Sequence, residues 1–381
     1  MEREQWSSRR GFVLAAIGSA IGLGNIWRFP YVAYKNGAGA FLIPYIFALL
    51  TTGLSFVAFE FIIGKTYRGS APLSYYRINK HMEFVGWWQF AISFVIMTYY
   101  AVILAWTLSY IGFSFTLAWG KETSDFFYTS YMNSLSAPSL TNFGGVVPQV
   151  CIPLVIIWLV TLAVAYAGVK KGIEKVSSIA LPILVVLFII FVIRAVTLPG
   201  AATGLNKFFE PKWESLTAPN VWQAAYSQIF YSLSLAMGIM ITYSSYLPKE
   251  SDTTNNAFIS AFSNSGFELL AGIGIFSALG FMAVASNQSI DKLAKGGIGL
   301  AFIVIPQIIN NLPAPHLFGI IFFVCLLIAG LTSLISLLEV CIAGASEKFG
   351  WNRKRTVVIT GILATLVSVA FTTRGGVYLL D

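Results

Sequence analysis

The chain alternates long apolar runs with short polar segments, and each run is long enough to cross a bilayer as a helix. The residue-by-residue alternation typical of a membrane barrel is not seen in the sequence. The runs predict nine membrane-spanning helices, called spans 1 to 9, at about residues 11–33, 40–63, 86–117, 150–167, 176–197, 222–247, 258–284, 315–345 and 356–373. The pattern therefore indicates an all-α integral membrane protein.

The first run contains an unusual polar interruption. Residues 18–31, GSAIGLGNIWRFPY, place three glycines, an asparagine, an arginine and a proline inside a predicted span, and this composition disfavours a continuous helix. We expect helix up to Ala16 and again from Ile26. Backbone groups freed between these residues are tolerated in lipid only around a buried polar site. Glycines that let neighbouring helices pack closely are the alternative explanation.

The sixth run repeats this feature. In QIFYSLSLAMGIMITYSSY, residues 228–246, Ser232, Ser234 and Gly238 interrupt an otherwise apolar segment. Interrupted spans in corresponding positions are typical of transporters built from inverted repeats, whose binding site lies near the membrane midplane. The first and sixth positions imply repeats of five spans each.

These repeats define the expected domain organisation. Residues 1–381 are predicted to form a single transmembrane transporter domain, with spans 1–5 (about 11–197) as the first repeat and spans 6–9 (about 222–373) as an incomplete second repeat. The chain ends at GGVYLLD, where a tenth span would begin. We expect a piece of a longer protein, with a natural truncation as the alternative.

Composition and charge are those of a membrane protein. The chain is 57% hydrophobic and 10% charged, and its mean hydropathy is +0.75. Of its 24 Lys and Arg residues, 15 lie in the N-terminal tail and the loops on the same side of the membrane, against eight on the other side. The positive-inside rule then places the N-terminus in the cytoplasm, and we expect a multi-pass protein of the plasma membrane. The same bias explains the net charge of +8 without a nucleic-acid partner.

Polar side chains inside the spans are candidates for the binding site, because such groups are costly in lipid. They are the amides of Asn25 and Asn264, the hydroxyls of Thr332 and Ser333, and the carboxylates of Glu60, Glu268 and Glu339. Their oxygens suit a small alkali cation. The two histidines and three cysteines show no transition-metal pattern, and no paired nucleophile and base indicates an enzyme.

Four motifs resemble a known family. They are GSAIGLGNIWRFPYVAYKNGAGAFLIPY, SLSLAMG, SNSGFE and AGLTSLIS, and they are similar to the neurotransmitter:sodium symporter family, especially its bacterial amino-acid transporters. The resemblance covers the chain from Arg3 to Asp381. It implies alternating-access symport of sodium and an amino acid, with the substrate between spans 1, 3, 6 and 8.

The resemblance also implies a set of substrate contacts. They are Ser19, Ala20, Leu23, Gly24, Ile96, Tyr100, Tyr231, Ser232, Ser234, Met237, Ser333 and Leu337. Leu23, Gly24 and the Tyr100 hydroxyl would bind the substrate carboxylate at the positive end of a half-helix. Monoamine-transporting members carry an aspartate where this chain has Gly22, so the substrate should supply its own carboxylate. The pliable Met237 and its apolar neighbours favour hydrophobic L-amino acids, including aromatic ones.

Two sodium sites are implied as well. The first comprises Ala20, Asn25, Ser232, Asn264 and an oxygen of the substrate carboxylate, and the second comprises Gly18, Ile21, Ala329, Thr332 and Ser333. Because the substrate completes the first site, sodium and substrate should each raise the other's affinity by the same factor.

The same resemblance implies gating residues. Tyr100 and Tyr231 would close over the substrate, and Arg28 would pair with an acid expected just beyond Asp381. On the cytoplasmic side the implied latch consists of Arg3, Trp6, Tyr246 and Glu347. Exposed ion pairs are individually weak, so such a latch can open when sodium leaves.

Glu268 has an implied role in ion dependence. It lies four residues after Asn264, one helical turn along span 7. Chloride-dependent members have a serine here and hold chloride, so we expect this fixed carboxylate to replace the anion and transport to be independent of chloride. A glutamate that is only hydrogen-bonded within the bundle is the alternative.

The predicted function is therefore sodium-coupled symport of hydrophobic L-amino acids. A transport-deficient receptor or scaffold that keeps sodium-dependent amino-acid binding is the alternative. Binding without uptake would identify that alternative. An integral-membrane enzyme is not expected.

Overall fold

The computed structural model describes residues 4–135, 143–294 and 296–379. In these ranges the chain is helical apart from turns, loops and two isolated bridges. Six of the described helices are long and apolar enough to cross a membrane: Gly39–Tyr67 (span 2), Lys80–Ser114 (span 3), Pro148–Tyr166 (span 4), Val169–Val196 (span 5), Thr253–Ser286 (span 7) and Pro315–Phe349 (span 8). The all-α membrane fold predicted from the sequence is confirmed.

Span 1 is a bent pair of helices. Span 1a is Arg9–Ala20 and span 1b is Leu23–Lys35, and the two meet at an angle of 51°. Taken as one span, the pair raises the number of candidate spans in the described ranges to seven.

The remaining two predicted spans differ from this pattern. Span 6 consists of span 6a, Pro219–Ser232, with 14 residues, and span 6b, Ile239–Ser244, with 6 residues. Span 9 is Arg353–Ala370, and its 18 residues begin with the basic sequence RKR. Neither meets the length and apolarity of the other spans, because span 6 is interrupted and span 9 begins with charges. The shorter helices between spans include Ala71–Ile78, Ala201–Phe209, Ile290–Leu293 and Gly297–Asn310.

The break in span 1 is shorter than predicted. Only Ile21 and Gly22 leave the helix, whereas Gly18 and Gly24 are helical. The Asn25 side chain accepts a hydrogen bond from the Gly22 N–H (2.9 Å) and so supports the start of span 1b. A glycine inside a helix costs only about 1 kcal/mol, which is less than the cost of further unpaired backbone groups in lipid. The helix therefore continues through glycines that local propensity placed in the break.

The break in span 6 has a strained backbone. Residues 233–238 separate its two helices, and Ser234 (φ 54°), Ala236 (φ 59°) and Gly238 (φ 74°) adopt the left-handed conformation. This conformation is unfavourable for residues other than glycine and persists only where the surroundings hold it. The Ala236 N–H donates to Glu60 Oε1 in span 2 at 2.8 Å. A buried acid thus supports the strained segment.

The two breaks meet in the centre of the bundle. Span 3 packs along span 8, span 1a packs against spans 5, 7 and 8, and span 1b packs against spans 6a and 7. Span 6b packs against span 2. Residues of spans 3 and 8 line a cavity together with residues of both breaks.

Candidate functional site

A cavity lies where the two breaks face spans 3 and 8. Its lining contains all twelve predicted substrate contacts, together with Gly22, Asn25 and Ile239. None of these fifteen lining residues has a charged side chain. The polar groups that the lining offers to a ligand are therefore amides, carbonyls and hydroxyls.

One end of the cavity is the N-terminus of span 1b. The first N–H groups of a helix have no partner within it and carry partial positive charge. The Leu23 N–H donates to the Tyr100 hydroxyl oxygen at 3.2 Å. Gly24 is required for close packing here, because a Cβ atom would collide with the Tyr231 ring. This end of the cavity is suited to a carboxylate.

Carbonyl and hydroxyl oxygens of spans 1a, 6 and 8 also line the cavity. The Ser19 carbonyl oxygen accepts hydrogen bonds from the Ser333 hydroxyl (3.1 Å) and the Ser234 hydroxyl (3.5 Å). The Ser19 hydroxyl itself donates to Ser336 Oγ at 2.9 Å, and the sequence pattern did not single out this partner. A wall rich in acceptors is suited to an ammonium group, which has three donors.

Three side chains of the first predicted sodium site form a continuous hydrogen-bonded chain. Asn25 Nδ2 donates to Asn264 Oδ1 (2.7 Å), and Asn264 Nδ2 donates to Ser232 Oγ (3.1 Å). All three residues are at most 2% exposed. Ala20, at the end of span 1a, lines the same cavity. Oxygens from spans 1, 6 and 7 thus converge at a buried point, and this donor set fits a small, hard cation.

The residues of the second predicted sodium site lie between span 1a and span 8. The Thr332 hydroxyl donates to the Ala329 carbonyl (3.0 Å), as does the Ser333 hydroxyl (3.1 Å). A Cβ atom at Gly18 would lie 3.6 Å from Thr332 Cβ, so the two helices are in contact. Ile21 lies at the adjacent break. Among the described residues, no group of three His, Cys, Asp or Glu side chains could hold a metal ion.

A second polar chain surrounds Glu268 in span 7. Gln228 Nε2 donates to Glu268 Oε1 at 2.5 Å, and the Tyr45 hydroxyl donates to Glu268 Oε2. Arg28 Nη1 donates to Gln228 Oε1 at 2.5 Å. The sequence pattern did not single out Gln228 or Tyr45. Gln228 had a detectable signal, since it is a polar residue one helical turn before Ser232 in an apolar run.

Arg28 lies over the ring of Tyr231, which lines the cavity. Its guanidinium carbon is 4.8 Å from the centre of the Tyr231 ring, a distance typical of a cation–π interaction. The acidic partner predicted for Arg28 lies outside the described residues. Within them, the hydrogen-bond partner of Arg28 is Gln228.

A contact on the same face joins a loop helix to span 1b. The Tyr34 hydroxyl donates to Asp291 Oδ1 at 2.6 Å, and Lys212 Nζ lies 5.5 Å from the Tyr34 ring centre. The hydrogen bond from Tyr34 lowers the pKa of the Asp291 carboxyl below its usual value. This contact ties the helix Ile290–Leu293 to the end of span 1.

The predicted latch lies on the face that carries the N-terminal segment, and the structure describes part of it. Trp6 is buried, and its backbone N–H donates to the Tyr246 carbonyl at 3.3 Å. Glu347 accepts hydrogen bonds from the Ser70 N–H (2.8 Å) and hydroxyl (2.6 Å). Arg3 lies outside the described residues.

A buried ion pair between Arg353 and Glu339 lies on the same face. Arg353 Nη1 and Nη2 donate to the two carboxylate oxygens of Glu339 at 2.8 and 2.7 Å, and the Tyr246 hydroxyl also donates to Glu339 at 2.8 Å. Glu339 is fully buried. Glu4 Oε1 lies 3.7 Å from Arg353 Nε. The sequence pattern counted Arg353 among the loop charges, and its pairing became visible only in the fold.

Two broken spans around a central cavity define a secondary transporter of the inverted-repeat type. The chain belongs to the sodium:neurotransmitter symporter family, because the sequence model of this family matches residues 3–127 and 121–381. It is 43% identical over 382 residues to an uncharacterised sodium-dependent transporter of Methanocaldococcus jannaschii, covering 100% of this chain and 77% of that protein. It is 32% identical over 428 residues to the sodium-dependent dopamine transporter of Caenorhabditis elegans, covering 100% and 69%.

A solved structure shows the same architecture. The crystal structure of MhsT in complex with L-phenylalanine matches with a TM-score of 0.83 and 37% sequence identity, covering 97% of this chain and 80% of that one. The resemblance and the fold class predicted from the sequence are confirmed. The chain is a multi-pass membrane protein of a transporter family, and the sodium dependence of its relatives supports its use of sodium.

Proposed function

We propose that this protein is a sodium-coupled symporter of hydrophobic L-amino acids that works by alternating access. The central cavity is the observation that supports this proposal most strongly. The lining presents the positive N-terminus of span 1b and the acceptors around Ser19. An amino-acid zwitterion supplies the two complementary charges, while the lining itself supplies none.

The rest of the lining favours an apolar side chain. Ile96, Met237, Ile239 and Leu337 contribute aliphatic or thioether groups, and Tyr231 contributes an aromatic ring. A charged substrate side chain would be buried here without a partner, which is strongly unfavourable. The similarity to MhsT, whose crystal structure contains L-phenylalanine, supports the same substrate class.

Competition for uptake tests this substrate class. In proteoliposomes with a sodium gradient, we expect leucine, phenylalanine and tryptophan to compete strongly with a labelled hydrophobic amino acid. Glycine should compete weakly, because it buries no side chain in the apolar lining. Glutamate and lysine should not compete at the same concentration. Stronger competition by glutamate or lysine than by every hydrophobic amino acid would contradict the proposal.

Two sodium ions are proposed as co-substrates. The first would bind at Asn25, Ser232, Asn264 and the Ala20 carbonyl, with the substrate carboxylate as the remaining ligand. The second would bind between span 1a and span 8, at the residues around Thr332. The hydrogen-bonded chain Asn25–Asn264–Ser232 supports the first site, and the contact of Gly18 with Thr332 supports the second. A shared carboxylate would couple sodium and amino-acid binding.

Transport is proposed to be independent of chloride, since Glu268 provides a fixed negative charge beside the first sodium site. Sodium-driven uptake should be equal in chloride and in gluconate. The variant Glu268→Ser should lose most of its uptake in gluconate and recover it in chloride, because the mobile anion then replaces the lost carboxylate. A parent protein that needs chloride, or a Glu268→Ser variant that is fully active in gluconate, would show that Glu268 does not have this role.

We also propose that residues 1–381 act as one transporter domain of the plasma membrane, with the N-terminus in the cytoplasm. The excess of Lys and Arg in the N-terminal tail and the loops on its side supports this orientation. The contacts of Trp6 with Tyr246 and of Glu339 with Arg353 would then close the cytoplasmic side of the cavity.

A further inference from the structure

Glu60 in span 2 is a buried acid to which the proposed symport assigns no role. It is 3% exposed and lies beside the break in span 6. Its Oε1 accepts the hydrogen bond from Ala236, whereas its Oε2 is buried without a hydrogen-bond partner in the described chain. Gln89 Oε1, also buried and without a donor, borders the same segment, since a Cβ atom at Gly238 would lie 3.3 Å from it. Two acceptors without donors therefore flank the strained turn.

No basic side chain pairs with Glu60 among the residues that the structure describes. The elements in contact with span 2, and span 2 itself, carry these other ionisable side chains: Arg9, Arg10, Arg28, Tyr31, Tyr34, Lys35, Tyr45, Lys65, Tyr67, Arg68, Tyr75, Tyr76, Arg77, Lys207, Glu214, Tyr226, Tyr231, Tyr243 and Glu268. Arg9, Arg10, Lys65, Arg68 and Arg77 lie toward the N-terminal face, where they donate to other oxygens or are exposed. Arg28 donates to Gln228, Lys35 is exposed, and Lys207 pairs with Glu210. An ionised Glu60 would thus be an uncompensated charge inside the membrane, which is costly.

Glu268 in span 7, another buried acid without an ion pair among the described residues, has a different environment. Both of its oxygens accept hydrogen bonds, from Gln228 and Tyr45, so a carboxylate is satisfied there. At Glu60 only one carboxylate oxygen accepts a hydrogen bond. A carboxylic acid fits this arrangement better, because one oxygen can accept from Ala236 while the other carries the proton.

We propose that Glu60 is a proton-binding site within the membrane and that it holds a proton in the arrangement described. A hydronium ion of the solvent gives its proton to Oε2 and is left as a water molecule, so that the carboxylate becomes a neutral acid. The Ala236 hydrogen bond connects this acid to the strained segment of span 6. A movement of that segment that admits water to Glu60 releases the proton, so the transport cycle contains a proton step at span 2. The proton step in the transport cycle rests on the symport proposed above, whereas the proton-binding site itself does not.

Infrared spectroscopy of the purified protein tests the site without any amino acid. A protonated carboxylic acid has a carbonyl stretching band that a carboxylate lacks. We expect this band in the parent protein at neutral pH and in the matched variant Glu268→Gln, and we expect its loss in Glu60→Gln. A parent without the band at neutral pH, or a band that disappears in Glu268→Gln and remains in Glu60→Gln, would overturn the proposal.

A second variant keeps the test decisive if Glu60→Gln does not fold. Glu60→Asp retains a titratable group at a different distance from Ala236, so its carbonyl band should shift relative to the parent. An unchanged band in Glu60→Asp would assign the signal to another acid and overturn the proposal.

The pH dependence of sodium-dependent amino-acid binding tests the connection to transport. We expect the affinity of the parent to vary with pH and that of Glu60→Gln to lose this variation, because the amide mimics the neutral acid and still accepts from Ala236. A Glu60→Gln variant with the pH profile of the parent would overturn the transport step. A parent that binds no amino acid would contradict the proposed symport, and the infrared band would still decide the proton site.

Discussion

Replacing Asn264 with alanine is expected to weaken sodium binding and amino-acid binding together. Asn264 is fully buried, accepts a hydrogen bond from Asn25 and donates one to Ser232. The alanine leaves two buried partners unsatisfied, at about 1–3 kcal/mol each, and removes a proposed sodium ligand. We therefore expect the sodium affinity to fall about tenfold or more. Amino-acid affinity should fall as well, because the bound ion would complete the site for the substrate carboxylate.

The measurement is a pair of titrations on the purified protein. Sodium affinity is measured at low and at saturating amino acid, and amino-acid affinity at fixed sodium. Ser277→Ala is the matched control, because Ser277 is equally buried in span 7, has no hydrogen-bond partner in the described chain and lies 13 residues beyond Asn264. Both affinities should be unchanged in this control. An Asn264→Ala variant that binds the amino acid with the sodium dependence of the parent would show that Asn264 is not a sodium ligand.

Breaking the buried ion pair between Arg353 and Glu339 should lower the free energy of unfolding far more than breaking an exposed ion pair. Arg353→Met leaves the Glu339 carboxylate, which is 0% exposed, without its cation. Removing one partner of a buried pair costs about 3–5 kcal/mol, because the remaining charge stays buried and uncompensated. Glu339→Gln combined with Arg353→Met should recover much of this loss, since the neutral amide still accepts the hydrogen bond from Tyr246.

Thermal unfolding in detergent micelles measures these effects. Lys207→Met is the control for a lost cation, because the pair Lys207–Glu210 is exposed (45% and 60%) at 3.4 Å, and exposed pairs contribute only about 0.2–1 kcal/mol. The melting temperature should fall far more in Arg353→Met than in Lys207→Met, and the double variant should lie between the parent and Arg353→Met. Equal, small shifts in Arg353→Met and Lys207→Met would mean that the buried pair does not stabilise the fold.

Much of the cavity could be anticipated from the sequence once the family resemblance was recognised. The structure places all twelve predicted substrate contacts around one cavity, and it joins Asn25, Ser232 and Asn264 by hydrogen bonds. Other partners could not be anticipated. Asn25 and Asn264 are 239 positions apart, and Tyr45 and Glu268 are 223 positions apart. A local sequence pattern does not indicate which residues so far apart in the chain will be in contact.

The sequence by itself determined the class of fold. Apolar runs of bilayer length and the polar interruptions at Gly22 and Ser234 are local features, and lipid restricts the backbone so strongly that local features suffice. They predicted a helical membrane protein with broken first and sixth spans, and the family resemblance agreed with them.

The tertiary structure decided where the breaks begin and end and which partners the buried polar groups find. It kept Gly18 and Gly24 helical, although both were predicted to lie in the break. It also gave Glu339 a cation and left Glu60 with the backbone N–H of Ala236. The physical reason is that a buried charge or an unpaired backbone group is satisfied by whatever packing brings within about 3 Å, and that packing depends on residues from the whole chain.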